Sequence, residues 1–290
     1  MTDAAPVGAS RDDGSPLVPD GLDATLVLIR HGESEWVAEG RFQGQAETPL
    51  SALGRHQAAL VGRRLATPHE EPALPVPGGR PRQIVHSPLA RTRETAEAIA
   101  EAIAHDAAAR GEADAIVPLR PEPGILELHQ GLWQGVQQEE IARRWPDELA
   151  RWRRRPWESV APGGEALQAV QARVRPALAR LFDDLGRDYP RGTVDRPQVG
   201  GYKGVGQAHD QPWSVLVGHD GVFKIVMLTL FDLPLTHFWM IGFPLTGVTV
   251  VELRGGRPVL RAHGLTDHLA SIHDEAARAA AERRARSGAL

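Results

Sequence analysis

The sequence predicts an α/β protein: a three-layer α/β/α sandwich with a mainly parallel central sheet and an antiparallel C-terminal edge. Three observations carry this. Short apolar runs alternate with helix-length segments, the pattern of a parallel sheet covered on both faces. Two of the runs, Leu26-Val-Leu-Ile-Arg30 and Trp213-Ser-Val-Leu-Val-Gly218, are apolar nearly throughout, as strands buried on both faces must be. Near the C-terminus, Gly247–Leu253 and Pro258–His263 flank Arg254-Gly-Gly-Arg257, a hairpin turn that gives the sheet its antiparallel edge.

Taken in order, residues 1–22 are rich in Pro, Gly, Asp and Ala, lack apolar periodicity, and read as a disordered tail. Thr25–Arg30 is the first strand. Gly54–Ala66 has a helical apolar face in Leu60, Val61 and Leu65, with Leu53 just before it. Thr67–Pro81 holds five prolines and two glycines and must be a surface loop. Gln83–Ser87 is a strand. Ser87 then reads as a helix N-cap and Pro88 as the first helical residue, where a missing N–H costs nothing. That helix runs to about residue 109. Ala115–Leu119 is a further short strand, Gly124–Gly135 is irregular, and Glu139–Arg154 and Glu165–Leu185 read as helices. Trp145, Trp152 and Trp157 are expected to pack the first of these. Asp188–Gln211 is glycine-rich and aperiodic, and a structureless loop of that length is uncommon inside a compact domain. It is expected to be a mobile insertion. Phe223–Phe231 is the helix after the 213–218 strand, and residues 274–290 form a helix or a tail. The expected organisation is one domain over residues 23–273, interrupted by the 188–211 insertion.

Composition narrows the function classes. The 290 residues are 42% hydrophobic, enough to fill a core, and the net charge of −4 gives no support for nucleic-acid or membrane binding. The absence of cysteine excludes disulfides, thiol catalysis and thiolate metal sites. No signal-peptide core is visible at the N-terminus, and the most apolar stretch, Trp213 to Phe231, carries His219, Asp220 and Lys224. The expectation is a cytoplasmic enzyme, monomer or homodimer, with a small-molecule partner.

Two of the predicted strands end in histidine: Arg30-His31-Gly32 follows one, Gly218-His219 the other. In an open α/β sheet, ligands bind at the carboxyl ends of strands. Adjacent strands would set two imidazoles over one crevice, with Arg30 beside the first. Arg91 falls in the first turn of the helix after a third strand, whereas Arg93, two residues on, points elsewhere. The set suits an anion, phosphate above all. In phosphoryl transfer His31 would be the nucleophile, giving a phosphohistidine; Arg30, Arg91 and His219 would hold the transferring oxygens; Glu127 would protonate the leaving alkoxide and later activate water. The arginines and histidines supply the positive charge, so no metal or other cofactor is required, and no His-x-x-x-His spacing suggests one. Taken singly these residues are ordinary: a helix-surface arginine, a capping carboxylate, a strand-end histidine. Their joint occurrence, in this order, carries the inference.

The same residues resemble the histidine phosphatase superfamily, in the branch that includes the cofactor-dependent phosphoglycerate mutases. The motifs are Leu28-Ile-Arg-His-Gly-Glu-Ser-Glu-Trp36, Gly40-Arg-Phe-Gln-Gly44, Thr48-Pro-Leu-Ser-Ala-Leu-Gly-Arg-His-Gln57, Ser87-Pro-Leu-Ala-Arg-Thr92, Leu126-Glu127 with Gly131-Leu-Trp-Gln-Gly135, Pro162-Gly-Gly-Glu165 and Val217-Gly-His-Asp-Gly221. They span roughly residues 25–265 in the family's order. The resemblance implies the α/β/α fold, His31 as nucleophile, Arg30, Arg91 and His219 as phosphate ligands, Glu127 as proton donor, and Ser34, Gln43 and Gly44 as further substrate-binding positions. Three positions depart from the pattern: Val37 where an asparagine is frequent, Gln134 where a glutamate is frequent, and Asp220 where glycine is usual. Asp220 is expected either to orient His219 or to repel substrate anions. The segment from Gly135 to Pro162 is shorter than in the mutases, and Phe-Gln-Gly at 42–44 resembles phosphatases more than mutases. A shorter lid admits water to the phosphohistidine, which favours hydrolysis. The expected function is therefore a metal-independent phosphomonoesterase of small phosphorylated metabolites. The alternatives are a phosphoglycerate mutase primed by 2,3-bisphosphoglycerate, or a catalytically inactive phosphate-binding or scaffold protein.

Overall fold

A computed structural model of the chain describes residues 16–112, 116–187 and 211–272. The elements in chain order are β1 (Ala24–Arg30), α1 (Glu35–Ala38), α2 (Ala52–Ala66), β2 (Ile84–His86), α3 (Ala90–Ala109), β3 (Leu119–Pro121), α4 (Gln138–Arg144), α5 (Pro146–Arg154), α6 (Leu167–Gly186), β4 (Trp213–Gly218), α7 (Asp220–Leu230), β5 (Val248–Arg254) and β6 (Arg257–Leu265). The six strands form one sheet in the order β3-β2-β4-β1-β5-β6. Strands β3, β2, β4 and β1 run parallel, and the β5–β6 hairpin adds two antiparallel pairings at one edge.

The alternation of side chains along the strands makes two cores. Leu26, Leu28, Val85, Leu216 and Val251 meet α6 and α7 on one face. Val27, Ile29, Ile84, Val215, Val217 and Val250 meet residues of α2 and α3 on the other. Both faces of β1 and β4 are therefore buried, which is why these strands tolerate almost no polar residue. The α/β/α layering and the antiparallel C-terminal edge follow as expected.

Several boundaries differ from the sequence expectation, each for a local reason. Ser87 does not cap α3; Leu89 occupies that position, and the Ser87 hydroxyl is committed to His219. The expected helix over 139–154 is two helices. Pro146 disfavours helical backbone at Trp145, which adopts φ −135° and ψ 56°, and then opens α5 as its first residue. The short strand expected over 115–119 lies at Leu119–Pro121, with residue 115 itself outside the described residues. Helix α7 begins at Asp220, directly after His219. Residues 16–22, expected to belong to the disordered tail, pack instead: Val18 and Leu22 are buried, and the Leu22 carbonyl accepts from Gly256 N in the hairpin turn at 2.8 Å. Residues 1–15, residues 188–210 of the expected insertion, and the 274–290 tail lie outside the described residues.

Candidate active site

Register brings the expected residues together. Arg30 pairs with Gly218 and His86 with Val217, so the three strands end level with one another. The backbone continues the ladder for one more step, with His31 N donating to Gly218 O and Ser87 N to Val217 O, both at 3.0 Å. His31 and His219 thus emerge side by side, their ring centroids 5.1 Å apart and their planes at 64°. Arg91, in the first turn of α3, is fully buried, whereas Arg93 carries an exposed side chain.

Each group is held by a specific contact. His31 Nδ1 lies 2.6 Å from the Gly32 carbonyl oxygen. A carbonyl only accepts, so Nδ1 carries the proton and Nε2 presents its lone pair. His219 Nε2 lies 2.9 Å from Ser87 Oγ. Arg91 donates from Nη1 to Ala46 O at 2.9 Å and from Nη2 to Gly44 O at 2.8 Å, which ties it to the 43–48 loop. Arg30 donates from Nη1 to Phe243 O at 2.6 Å. Arg30 Nε, Arg91 Nε and His219 Nδ1 are buried and have no partner within the protein.

Glu127 is seated at the start of α7. Its Oε1 accepts from Leu128 N and Val222 N, both at 2.9 Å, and its Oε2 accepts from Gly221 N at 3.1 Å. Gly221 permits this approach, because a Cβ there would come within 2.7 Å of Oε1. Behind Glu127, Arg173 donates to the carbonyls of Gly124, Leu126 and Glu127 and forms a two-point ion pair with Glu165 of the Pro-Gly-Gly-Glu turn.

The electrostatics follow from burial among cations. The His31 pKa is lowered well below 6.5, first by burial and then by Arg91 and Arg30. His219 is lowered likewise, by burial, Arg91 and His31. Both imidazoles are held neutral. Arg91 is lowered to about 10, chiefly by burial, against the raising influence of Glu127 and Glu47, and so remains charged at neutral pH.

Of the remaining expected positions, Ser34 is fully buried and turned inward. Its hydroxyl caps α1 by accepting from Val37 N and donates to Gln43 Oε1 at 2.5 Å. Gln43 Oε1 also accepts from Thr48, and the Gly44 carbonyl is one of the two that hold Arg91. Sequence reasoning missed Ser87, Thr95, Arg173 and Lys224. Thr95 Oγ1 accepts from Gly32 N at 3.2 Å. Its spacing four residues after Arg91 places it on the same helix face, a signal that was present. Arg173, set in a long amphipathic helix, carried none.

Beside Glu127 opens a cleft of about 280 Å³. Its apolar wall includes Phe42, Trp152, Phe238 and Trp239, and its polar lining includes Gln130, Gln138, Arg153, Asp220 and Lys224. Trp36, Leu132 and Trp133 do not line it: Trp133 is fully buried and Leu132 is exposed. Among the described residues, no three His, Asp or Glu side chains gather as a metal-ligand set, and no helix is long and apolar enough to cross a membrane.

The model of the histidine phosphatase superfamily (branch 1) matches residues 26–189 and 200–266. The chain belongs to this superfamily and is an enzyme of its phosphatase and phosphoglycerate-mutase-like kind. It is 28% identical to phosphoserine phosphatase 1 of Hydrogenobacter thermophilus over 254 residues, covering 88% of this chain and 98% of that protein. It is 32% identical to glucosyl-3-phosphoglycerate phosphatase of Mycobacterium tuberculosis over 219 residues, covering 75% of this chain and 79% of the relative. The structure of a mycobacterial glucosyl-3-phosphoglycerate phosphatase in complex with VO3 superimposes with a TM-score of 0.63 at 26% identity, over 83% of this chain and 99% of that one.

Proposed function

We propose that this histidine phosphatase is a metal-independent phosphomonoesterase of small phosphorylated metabolites that works through a phosphohistidine on His31. The observation that carries it is the Gly32 carbonyl bond, which leaves His31 Nε2 as a neutral nucleophile beside two arginines. Nε2 attacks phosphorus, and the bond from phosphorus to the ester oxygen breaks. Glu127 Oε2 gives its proton to that oxygen, and the alcohol leaves through the adjoining cleft. Arg30 Nε, Arg91 Nε and His219 Nδ1 donate to the phosphoryl oxygens. The positive charge that builds on the phosphorylated imidazole is stabilised at Nδ1–H by the Gly32 carbonyl. Glu127 then takes a proton from water, the water oxygen attacks phosphorus, the P–N bond breaks, and inorganic phosphate leaves with His31 neutral again.

Relatives that are named as phosphatases and match over most of their length support hydrolysis over transfer. The cleft beside Glu127, walled by Phe42, Trp152, Phe238 and Trp239, supports a substrate whose alcohol portion extends away from the phosphate. The test is phosphate release in EDTA from p-nitrophenyl phosphate, 3-phosphoglycerate and alkyl phosphates. His31→Ala abolishes release from all of them. Glu127→Gln slows the alkyl esters by roughly 10²–10⁴-fold and the activated nitrophenyl ester much less, because only poor leaving groups need a proton. Release that survives in His31→Ala refutes the nucleophile, and equal slowing of both ester types refutes Glu127 as the acid. Conversion of 3-phosphoglycerate to its isomer without phosphate release would assign the mutase activity instead.

A further inference from the structure

Asp220, which stands where the family usually has glycine, neither contacts His219 nor faces the phosphate site unpaired. Its Oδ1 accepts from Phe243 N at 2.9 Å, and its Oδ2 accepts from Lys224 Nζ one helical turn on. The other side of residue 243 meets Arg30, whose Nη1 donates to the Phe243 carbonyl at 2.6 Å. Residue 243 is thus gripped at both ends of its backbone, by a carboxylate on its N–H and a guanidinium on its C=O. Bonds to charged groups are the stronger kind. The Phe243 ring is itself fixed, packed at 5.3 Å from Phe223 and 5.1 Å from His263.

We propose that Asp220, with Lys224 as its counter-ion, is a positioning residue for phosphate binding: it fixes the backbone of residue 243, and through the Phe243 carbonyl it fixes the guanidinium of Arg30. This rests on the assignment of Arg30 as a phosphate ligand. With Nη1 anchored, Arg30 presents its unpartnered Nε in one orientation, and a donor already oriented pays nothing to reorganise when the anion arrives.

Lys224 makes the carboxylate tolerable there. An aspartate beside His219 would repel a phosphate dianion. Lys224 is buried, sits four residues along the same helix, and lies over the rings of Trp239 at 4.9 Å and Phe238 at 5.4 Å. Held in that place, its ammonium cancels the charge of Asp220 and sets its rotamer. The helix start therefore keeps a hydrogen-bonding carboxylate without net negative charge.

The test is calorimetric titration of the full-length protein with inorganic phosphate, with melting temperatures recorded to verify folding. Asp220→Ala weakens phosphate binding about tenfold, the worth of one charge-assisted hydrogen bond. Asp220→Asn keeps an acceptor for Phe243 N and stays within about threefold of wild type. On an Arg30→Met background the Asp220→Ala change adds less than about twofold, because the two act as one unit. Lys224→Met weakens binding by leaving the carboxylate uncompensated, and adding Asp220→Asn restores it, which provides a measure independent of whether Asp220→Ala folds. Wild-type affinity in Asp220→Ala, an equal loss on the Arg30→Met background, or failure of Asp220→Asn to restore Lys224→Met would each overturn the positioning role. Phosphate binding without turnover by wild type removes the phosphatase assignment and leaves the positioning test readable; no phosphate binding by wild type removes both.

Discussion

At His31 a single hydrogen bond decides which nitrogen carries the proton, and burial decides whether the ring is charged. The Gly32 carbonyl takes Nδ1–H, and burial with Arg91 and Arg30 keeps the ring unprotonated. A base whose pKa is lowered stays neutral as pH falls past its ordinary value. The kcat/KM for p-nitrophenyl phosphate, which reports the free enzyme, therefore holds as pH falls through about 6.5 and declines only at lower pH. An acid limb centred on 6.5 would show that His31 titrates normally and would refute this account of its environment. Arg30, His31, Arg91 and His219 could be placed together from sequence because each stands at a strand end or in a first helical turn, positions that topology aims at one crevice. Ser87 was misread for the same reason that it matters. A serine before proline resembles a cap, and only the neighbouring strand reveals that its hydroxyl belongs to His219.

Among the elements, the strands were the most legible and the helix ends the least. Strands β1 and β4 are apolar on both faces, so a run of four to six residues identifies them unaided. Helix starts depend on competition between local caps and tertiary contacts. Trp145 and Pro146 split a continuous helical pattern, and α7 starts earlier than its apolar residues suggest because its first turn binds Glu127. The segment that carries Glu127 has little regular structure of its own and is shaped by Arg173 of α6. Its guanidinium donates to the carbonyls of Gly124, Leu126 and Glu127 and pairs with Glu165 at 2.8 Å. Arg173→Met leaves those acceptors and the carboxylate without their donor. It should lower stability by about 2–4 kcal/mol, read as a reduced denaturation midpoint, and reduce kcat through displacement of Glu127. A variant of normal stability and normal kcat would show that the segment holds its shape without Arg173.

For the whole molecule, the sheet separates two cores, and the site sits where strand ends from the middle of that sheet meet the first turns of α3 and α7. Such a site gathers like charges and unpartnered donors at the centre of the fold: Arg30 and Arg91, together with His219 Nδ1. An anion that pairs with them binds the folded state and not the unfolded chain, so it must raise stability by mass action. At inorganic phosphate one hundred times its Kd the gain is about 2.7 kcal/mol. For a domain of this size each kcal/mol moves the melting temperature by roughly 2–4 °C, so phosphate should raise Tm by about 5–10 °C. Arg91→Ala removes a fully buried donor from the set, and at the same phosphate concentration its Tm should scarcely move. A phosphate-induced rise of equal size in Arg91→Ala would place the stabilising anion elsewhere on the molecule. The absence of any rise in wild type would mean that the buried donors are not an anion site, and would remove the electrostatic basis for phosphoryl chemistry at His31.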